Sequence, residues 1–114
     1  MEERPFSATF TPGVLTVSGS VDEYAVIALR NALRDRSDDY KTSLSVDLTD
    51  ADYLPSVAVS VLVAAIRFTE QNGAELSLVA ARGTIAQRVL MVCALPYRDT
   101  VEEENTPPDN PVVA

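Results

Sequence analysis

Apolar residues alternate with small polar ones in two short segments near the start of the chain, from Phe6 to Phe10 and from Val14 to Val17. A repeat of two residues is typical of a strand with one buried face. Between the segments lies Thr11-Pro12-Gly13, in which proline fixes φ and glycine tolerates positive φ, as a turn requires. The pattern predicts an opening β-hairpin whose first strand lies at the edge of a sheet.

A helical pattern follows the hairpin. The segment Gly19-Ser20-Val21-Asp22 ends the second strand, and the Asp22 carboxylate is able to accept from the free amides of a first helical turn. Apolar residues then recur at spacings of three and four, which predicts one buried stripe. The stripe is Ala25, Ala28, Leu29, Ala32 and Leu33. The charged segment Asp35–Asp39 marks the end of this helix.

Strands and helices then alternate along the chain. We predict strands at 44–48 and 75–79, a connection at 49–54, and helices from Val57 to about Gln71 and from Thr84 to near Pro96. Asn72-Gly73 is a favourable end for the longer helix, and Thr84 is the expected cap of the last one. Ile85, Val89 and Val92 are the expected buried stripe of that last helix.

The order of elements is therefore ββαβαβα, with a weak last strand over 98–102. Strands separated by helices imply parallel neighbours with right-handed crossovers. The predicted fold class is α/β: a mixed sheet of four to five strands, an opening antiparallel hairpin and then parallel strands, with three main helices. We expect a domain at 1–102 with a loose end at 1–5. The tail at 103–114 is acidic and rich in proline, which predicts disorder.

The formal charge of the chain is −8, from 9 basic and 17 acidic residues. Because an acidic domain repels phosphates, we expect no nucleic-acid partner. The charge suits a partner with a basic docking face; the alternative is that it only maintains solubility. No apolar run approaches the roughly 20 residues of a membrane span, and no signal peptide is visible at the N-terminus, so we expect a cytoplasmic protein.

Candidate chemistry is sparse. The chain has no histidine, which excludes a Ser-His-Asp triad and histidine-bound zinc. The single cysteine, Cys93, lies in an apolar context and is expected to be buried. Asp47, Asp50 and Asp52 raise the alternative of a metal site or an acid–base pair, but turn chemistry and solvation explain them better. We expect neither a cofactor nor a metal, and no enzyme activity.

The segment from Val46 to Leu62, with the sequence VDLTDADYLPSVAVSVL, resembles the central motif of STAS domains, especially those of bacterial anti-sigma-factor antagonists. That motif runs from a strand through Asp-Leu-Ser, an aromatic residue and Asp-Ser-Ser/Thr-Gly into an apolar helix. Gly19-Ser20-Val21-Asp22 is similar to the Gly-Glu-Leu-Asp that follows the family's second strand. The resemblance covers about residues 6–102.

The resemblance implies that the protein binds an anti-sigma factor, which is a serine kinase, and so releases a sigma factor. It also implies that the kinase phosphorylates Ser56 and that phosphorylation breaks the complex. Pro55, Val57 and Ala58 depart from the motif, where the family has an acidic residue, a second hydroxyl residue and glycine. A permanently active antagonist or a different regulator is therefore an alternative to a phosphorylated one.

The residues around Ser56 also allow an independent interpretation. Ser56 lies where a loop enters an apolar helix, so its hydroxyl could simply cap the first amides. The helix is apolar almost all round, and its first turns are either packed between other elements or exposed to a partner. We predict a partner-binding face at Asp22, Pro55, Ser56, Val57 and Ser60, with Val57 and Ser60 exposed. The oligomeric state stays open between a monomer and a weak dimer.

Two other functions compete with the antagonist. One is a STAS subunit of another assembly, either a stressosome-like component or a subunit associated with lipid transport, without phosphorylation. The other is a small enzyme or nucleotide-binding protein, which the missing histidine and the absence of a glycine-rich loop disfavour.

Overall fold

The computed structural model describes residues 4–100. Its strands are β1 (Ser7–Thr11), β2 (Val14–Ser20), β3 (Leu44–Tyr53) and β4 (Leu76–Val79), and its helices are α1 (Ala25–Arg36), α2 (Ser56–Gln71) and α3 (Ile85–Val92). The four strands form one sheet in the order β1-β2-β3-β4. β1 pairs with β2 antiparallel, whereas the β2–β3 and β3–β4 pairs are parallel. The predicted mixed sheet, opening hairpin and three helices are confirmed.

The core lies where the apolar residues of the sheet meet the helices. Alternate residues of the inner strands are buried, and the residues between them are polar and only half-buried, as a sheet with one apolar face requires. The leucine and valine residues that follow this alternation are Leu15, Val17, Leu44, Val46, Leu48, Leu76 and Leu78. Leu29, Leu33 and Leu62 of the helices pack into the same cluster and are fully buried.

The predicted stripe of α1 is partly wrong. Ala28 is exposed, and Val26 is buried in its place. Val26, Leu29 and Leu33 are spaced by three and four residues, so they form a helical stripe of larger side chains. The packing uses these side chains because they bury more apolar surface than alanine does.

The predicted stripe of α3 is partly wrong, since of its three residues only Val89 packs against the core. Val92 is 80% exposed and Ile85 is 48% exposed, whereas Ala86 and Leu90 are buried. Because α3 is apolar on more than one side, helical spacing alone allowed either stripe. Cys93, which was expected to be buried, follows the exposed end of this helix and is itself exposed.

The two central strands are longer than the sequence pattern indicated. The expected break at Gly19-Ser20 and the expected connection at 49–54 both fall largely inside the sheet, where Gly19 lies opposite Ala51 and Ser20 opposite Tyr53. The register between β2 and β3 shifts twice over this stretch. Such bulges move side chains off the simple alternation, which explains why the pattern hid the extension.

Arg4 and Pro5, the described part of the predicted loose end, contact the end of β2. The carbonyl oxygen of Arg4 accepts a hydrogen bond of 3.0 Å from the Ser20 amide. Gly19 has φ of +81°, and a Cβ there would collide with the carbonyl of Pro5. Only glycine combines this conformation with so close an approach. The segment at Arg4 and Pro5 therefore lies directly against the end of β2.

The outer edge of β4, the last strand of the sheet, is covered by the segment after α3. Arg98 forms a parallel bridge with Val79. Its carbonyl oxygen accepts from Ala80 at 2.9 Å and its amide donates to Leu78 at 2.9 Å. The predicted strand at 98–102 is thus a single bridge within the described residues; its end, and the tail at 103–114, lie outside them. No helix in the part that the structure describes is long and apolar enough to cross a membrane.

Candidate protein-docking site

Three loops meet at one edge of the sheet. Because β2, β3 and β4 are parallel, the loops that lead into α1, α2 and α3 all lie at their carboxyl ends. The Val21 amide donates to the carbonyl oxygen of Tyr53 at 3.0 Å, which ties the first loop to the second. The Ala81 amide donates to Thr49 Oγ1 at 3.0 Å, which ties the third loop to β3. In α/β sheets this edge is where ligands and partners commonly bind.

Ser56 is the first residue of α2. Pro55 is the N-cap, with φ of −71° and ψ of 168°. Its carbonyl oxygen accepts from the amides of Ala58 at 2.9 Å and Val59 at 3.1 Å. The interpretation of the Ser56 hydroxyl as a cap is wrong, because no side chain caps this helix. Proline supplies the extended conformation that a cap position needs, and the exposed Ser56 side chain has no structural task there.

The first turns of α2 divide into a buried and an exposed face. Ala58 and Val59 are buried, whereas Val57 is 47% exposed and Ser60 is also exposed. Ser60 Oγ donates to the carbonyl oxygen of Ser56 at 3.1 Å. The predicted exposure of Val57 and Ser60 is confirmed. A hydroxyl group and an apolar side chain thus lie side by side at the start of the helix.

Asp22 lies in the first loop of the same edge. Its Oδ1 accepts from the amides of Tyr24 at 3.1 Å and Ala25 at 2.9 Å. Its carbonyl oxygen accepts from Val26 at 3.0 Å. The predicted capping role of Asp22 is confirmed, since these bonds satisfy amides that have no partner inside the helix.

Large exposed side chains that the sequence interpretation did not select surround this edge. Tyr24 is 79% exposed just before α1, Tyr53 is 50% exposed at the end of β3, and Ile27 is 59% exposed in the first turn of α1. Exposed tyrosines are frequent in protein interfaces because they combine apolar area with a polar tip. The available signal was their position, since each lies within five residues of a predicted helix start or cap.

Arg4 reaches this edge from the N-terminal segment. Its guanidinium donates to Asp52 Oδ2 at 2.8 Å and Oδ1 at 2.9 Å, and also to the carbonyl oxygen of Asp50 at 2.6 Å. This two-bond geometry is the strongest form of an arginine–carboxylate pair. The hydrogen bond from Arg4 lowers the pKa of the Asp52 carboxyl below its usual value. No sequence signal indicated this pair, because its members are far apart in the chain.

The acidic side chains of β3 do not form a metal site. Asp47 Oδ1 accepts from the Thr49 amide at 3.0 Å, Asp52 pairs with Arg4, and Asp50 is exposed. Within residues 4–100, no group of three histidine, cysteine or acidic residues could hold a metal ion. The edge presents hydroxyl, apolar and acidic groups side by side.

A four-stranded mixed sheet with an opening hairpin, three helices and a hydroxyl residue at the start of the second helix defines a STAS-type α/β domain. The chain belongs to the STAS family, since the family model described as "Mlab, STAS domain" matches residues 6–93. No curated protein matches the chain.

Two solved structures support the same fold. An anti-sigma factor antagonist from Mycobacterium paratuberculosis is 22% identical, with a TM-score of 0.65 over 85% of this chain and 86% of that one. The anti-sigma factor antagonist SpoIIAA in its unphosphorylated form is 17% identical, with a TM-score of 0.60 over 80% of this chain and 82% of that one. At this level of identity, the similarity shows a shared fold.

Proposed function

We propose that the protein is an anti-sigma-factor antagonist that binds an anti-sigma factor through the carboxyl edge of its sheet and thereby releases a sigma factor. The observation that carries the proposal is the exposed Ser56 at the first position of α2, beside the exposed Val57. Both structures named above belong to antagonists, which supports a regulatory binding role. The partner is a serine kinase, the chain is its substrate and not an enzyme, and the complex acts in the cytoplasm.

Phosphorylation of Ser56 switches the complex off in this proposal. A phosphate at the first turn of a helix is favoured by the free amides and by the helix dipole, so the fold tolerates it. It adds roughly −1.5 to −2 charges to the surface at which the partner docks. The exposed carboxylates of Glu23 and Asp50 on that surface make a basic partner the one that fits it. The phosphate disrupts the contact by its bulk, and because a strongly hydrated anion is costly to bury beside the apolar Val57 side chain.

The proposal is tested by measuring the affinity of the chain for the anti-sigma factor encoded beside its gene, using calorimetry. We expect Ser56→Asp to weaken binding by about 2 kcal/mol, the size of a buried polar mismatch in an interface. Ser56→Ala retains binding, because the hydroxyl caps nothing. Thr42→Asp is the matched control. Thr42 is exposed just before β3, at the amino end of that strand and so away from the loops that hold Ser56.

Equal affinity of wild type and Ser56→Asp would contradict the switch while leaving the binding role intact. Absence of binding by the wild type would contradict the antagonist role itself.

A second candidate is a STAS subunit of a different assembly, with no phosphorylation. Two observations favour it: the matching family model carries the Mlab description, and Pro55 stands where antagonists have an acidic residue before the serine. Co-expression of the chain with its genomic neighbours separates the two candidates. A stable complex with a transporter ATPase, and none with an anti-sigma kinase, would replace the first candidate by the second.

A further inference from the structure

The outer edge of β1 is open. β1 is the first strand of the sheet and pairs only with β2, whereas the opposite edge, at β4, is covered by Arg98. Proteins usually protect open edges with charges, prolines or bulges. The strand Ser7–Thr11 has the sequence SATFT, with no charge and no proline, and it pairs without a register shift. Within residues 4–100, it is therefore an unprotected edge.

The hairpin geometry shows which backbone groups point outward. The two-residue loop at Pro12 and Gly13 closes on the pair Thr11 and Val14. A closing pair of this kind exchanges its hydrogen bonds, and bonded pairs alternate along an antiparallel ladder. Thr9 therefore bonds to β2, whereas the N–H and C=O groups of Ala8 and Phe10 point away from it.

The side chains of β1 are symmetric about Thr9. Ser7, Thr9 and Thr11 are exposed, while Ala8 and Phe10 are half-buried at the rim of the core. An antiparallel second copy with its two-fold axis at Thr9 would place Ala8 opposite the other Phe10, and Ser7 opposite the other Thr11. Apolar residues would then face apolar ones, and hydroxyl residues would face hydroxyl residues. This is the self-complementarity that a two-fold interface requires.

We propose that the chain forms a homodimer in which two β1 strands pair antiparallel, so that two four-stranded sheets become one continuous sheet. In this register the N–H and C=O groups of Ala8 bond to those of the partner's Phe10. By symmetry, Phe10 makes the same two bonds to the partner's Ala8. The dimer therefore provides hydrogen-bond partners for the backbone groups that β2 leaves unpaired. The second copy would also cover the Phe10 ring at the rim of the core. The Arg36 guanidinium already lies over this ring, 4.7 Å from its centroid.

The dimer leaves the docking edge accessible. A two-fold axis at Thr9 makes the β2 strands of the two copies antiparallel, so their carboxyl ends point in opposite directions. Each copy therefore presents its own Ser56 at a separate end of the joined sheet, and one dimer binds two partners. A single short strand pair buries little surface, so we expect a weak dimer with a dissociation constant on the order of 100 μM.

Sedimentation velocity over a range of protein concentrations tests this dimer. Thr9→Lys places like charges opposite each other at the two-fold axis, and we expect it to weaken dimerisation by about fivefold or more. Ala8→Pro removes an outward N–H that the hairpin does not use, so it abolishes the dimer while the monomer still folds. Thr42→Lys adds the same charge away from β1 and is the control, with wild-type dimerisation expected.

Hydrogen exchange on the wild type is a second test, and it does not depend on whether the variants fold. The amides of Ala8 and Phe10 should exchange more slowly at high than at low protein concentration, while that of Glu23 should not change. A wild type that stays monomeric up to millimolar concentration would overturn the proposal. So would a dimer that Thr9→Lys and Ala8→Pro leave intact, or exchange of the Ala8 and Phe10 amides that does not depend on concentration.

Discussion

At the scale of single residues, the least expected feature is the pair between Arg4 and Asp52. It joins the N-terminal segment to the end of β3, four residues before Ser56, and Gly19 makes room for that segment. Both side chains are well exposed, so the pair adds little to the free energy of unfolding. The pair instead fixes the position of the end of β3, from which the chain continues to Ser56.

The titration of Asp52 measures this pair directly. Its folded-state pKa is lowered by the hydrogen bond from Arg4, so we expect a midpoint below the usual value of about 3.9. The contribution of the pair to stability is present above that usual pKa and is lost as the pH falls through the lowered one. Carboxyl NMR titration should show that Arg4→Ala raises the midpoint, while Arg67→Ala, on the outer face of α2, does not. An equal midpoint in wild type and Arg4→Ala would contradict the pairing.

At the scale of single elements, the short helix α3 depends on its first turn. Thr84 Oγ1 accepts from the Gln87 amide at 3.2 Å, and Gln87 Oε1 accepts from the Gly83 amide at 2.8 Å. Such reciprocal capping satisfies amides that an eight-residue helix would otherwise leave free. The cap therefore adds to the stability that the buried Ala86 and Leu90 give this helix.

We expect Thr84→Ala to lower the free energy of unfolding by about 1 kcal/mol, the usual loss for an N-cap. Thr84→Ser keeps the oxygen and should stay close to the wild type. Urea denaturation with an unchanged m-value measures the difference. If the alanine and serine variants unfolded at the same midpoint, the cap would have no energetic role.

Elements whose signals are local could be predicted from the sequence. The caps at Asp22 and Thr84, the turn at Pro12 and Gly13 and the end of α2 at Asn72 all depend on neighbouring residues, and the structure confirms them. The pattern also predicted the exposure of Val57 at the candidate site. Such signals work because capping and turn geometry are set within one or two turns of chain.

Features that depend on distant contacts could not be predicted. The extension of β3 to Tyr53 requires pairing with Ser20, and the order at Arg4 requires Asp52. At Ser56 the sequence indicated a serine cap, whereas the backbone conformation makes Pro55 the cap residue. The buried stripe of α3 was ambiguous because apolar side chains occur on more than one of its faces.

At the scale of the whole molecule, the two proposed surfaces lie at different edges of one sheet. The proposed self-association uses the outer edge of β1, and the proposed partner contact uses the carboxyl ends of the parallel strands. Because Ser56 is exposed at the first position of α2, a charge added there would meet a docked partner and not the core. The net charge of −8 favours a basic partner and disfavours nucleic acid.

The central claim is that Ser56 is the switch of a partner complex. The most direct measurement is to form the complex of this chain with the anti-sigma kinase encoded beside its gene, add magnesium and ATP, and follow intact mass, site mapping and complex size together. The account predicts one phosphate, located on Ser56, and dissociation of the complex as it is added. A complex that persists with Ser56 phosphorylated, or that dissociates equally when Ser56→Ala replaces the wild type, would contradict the account.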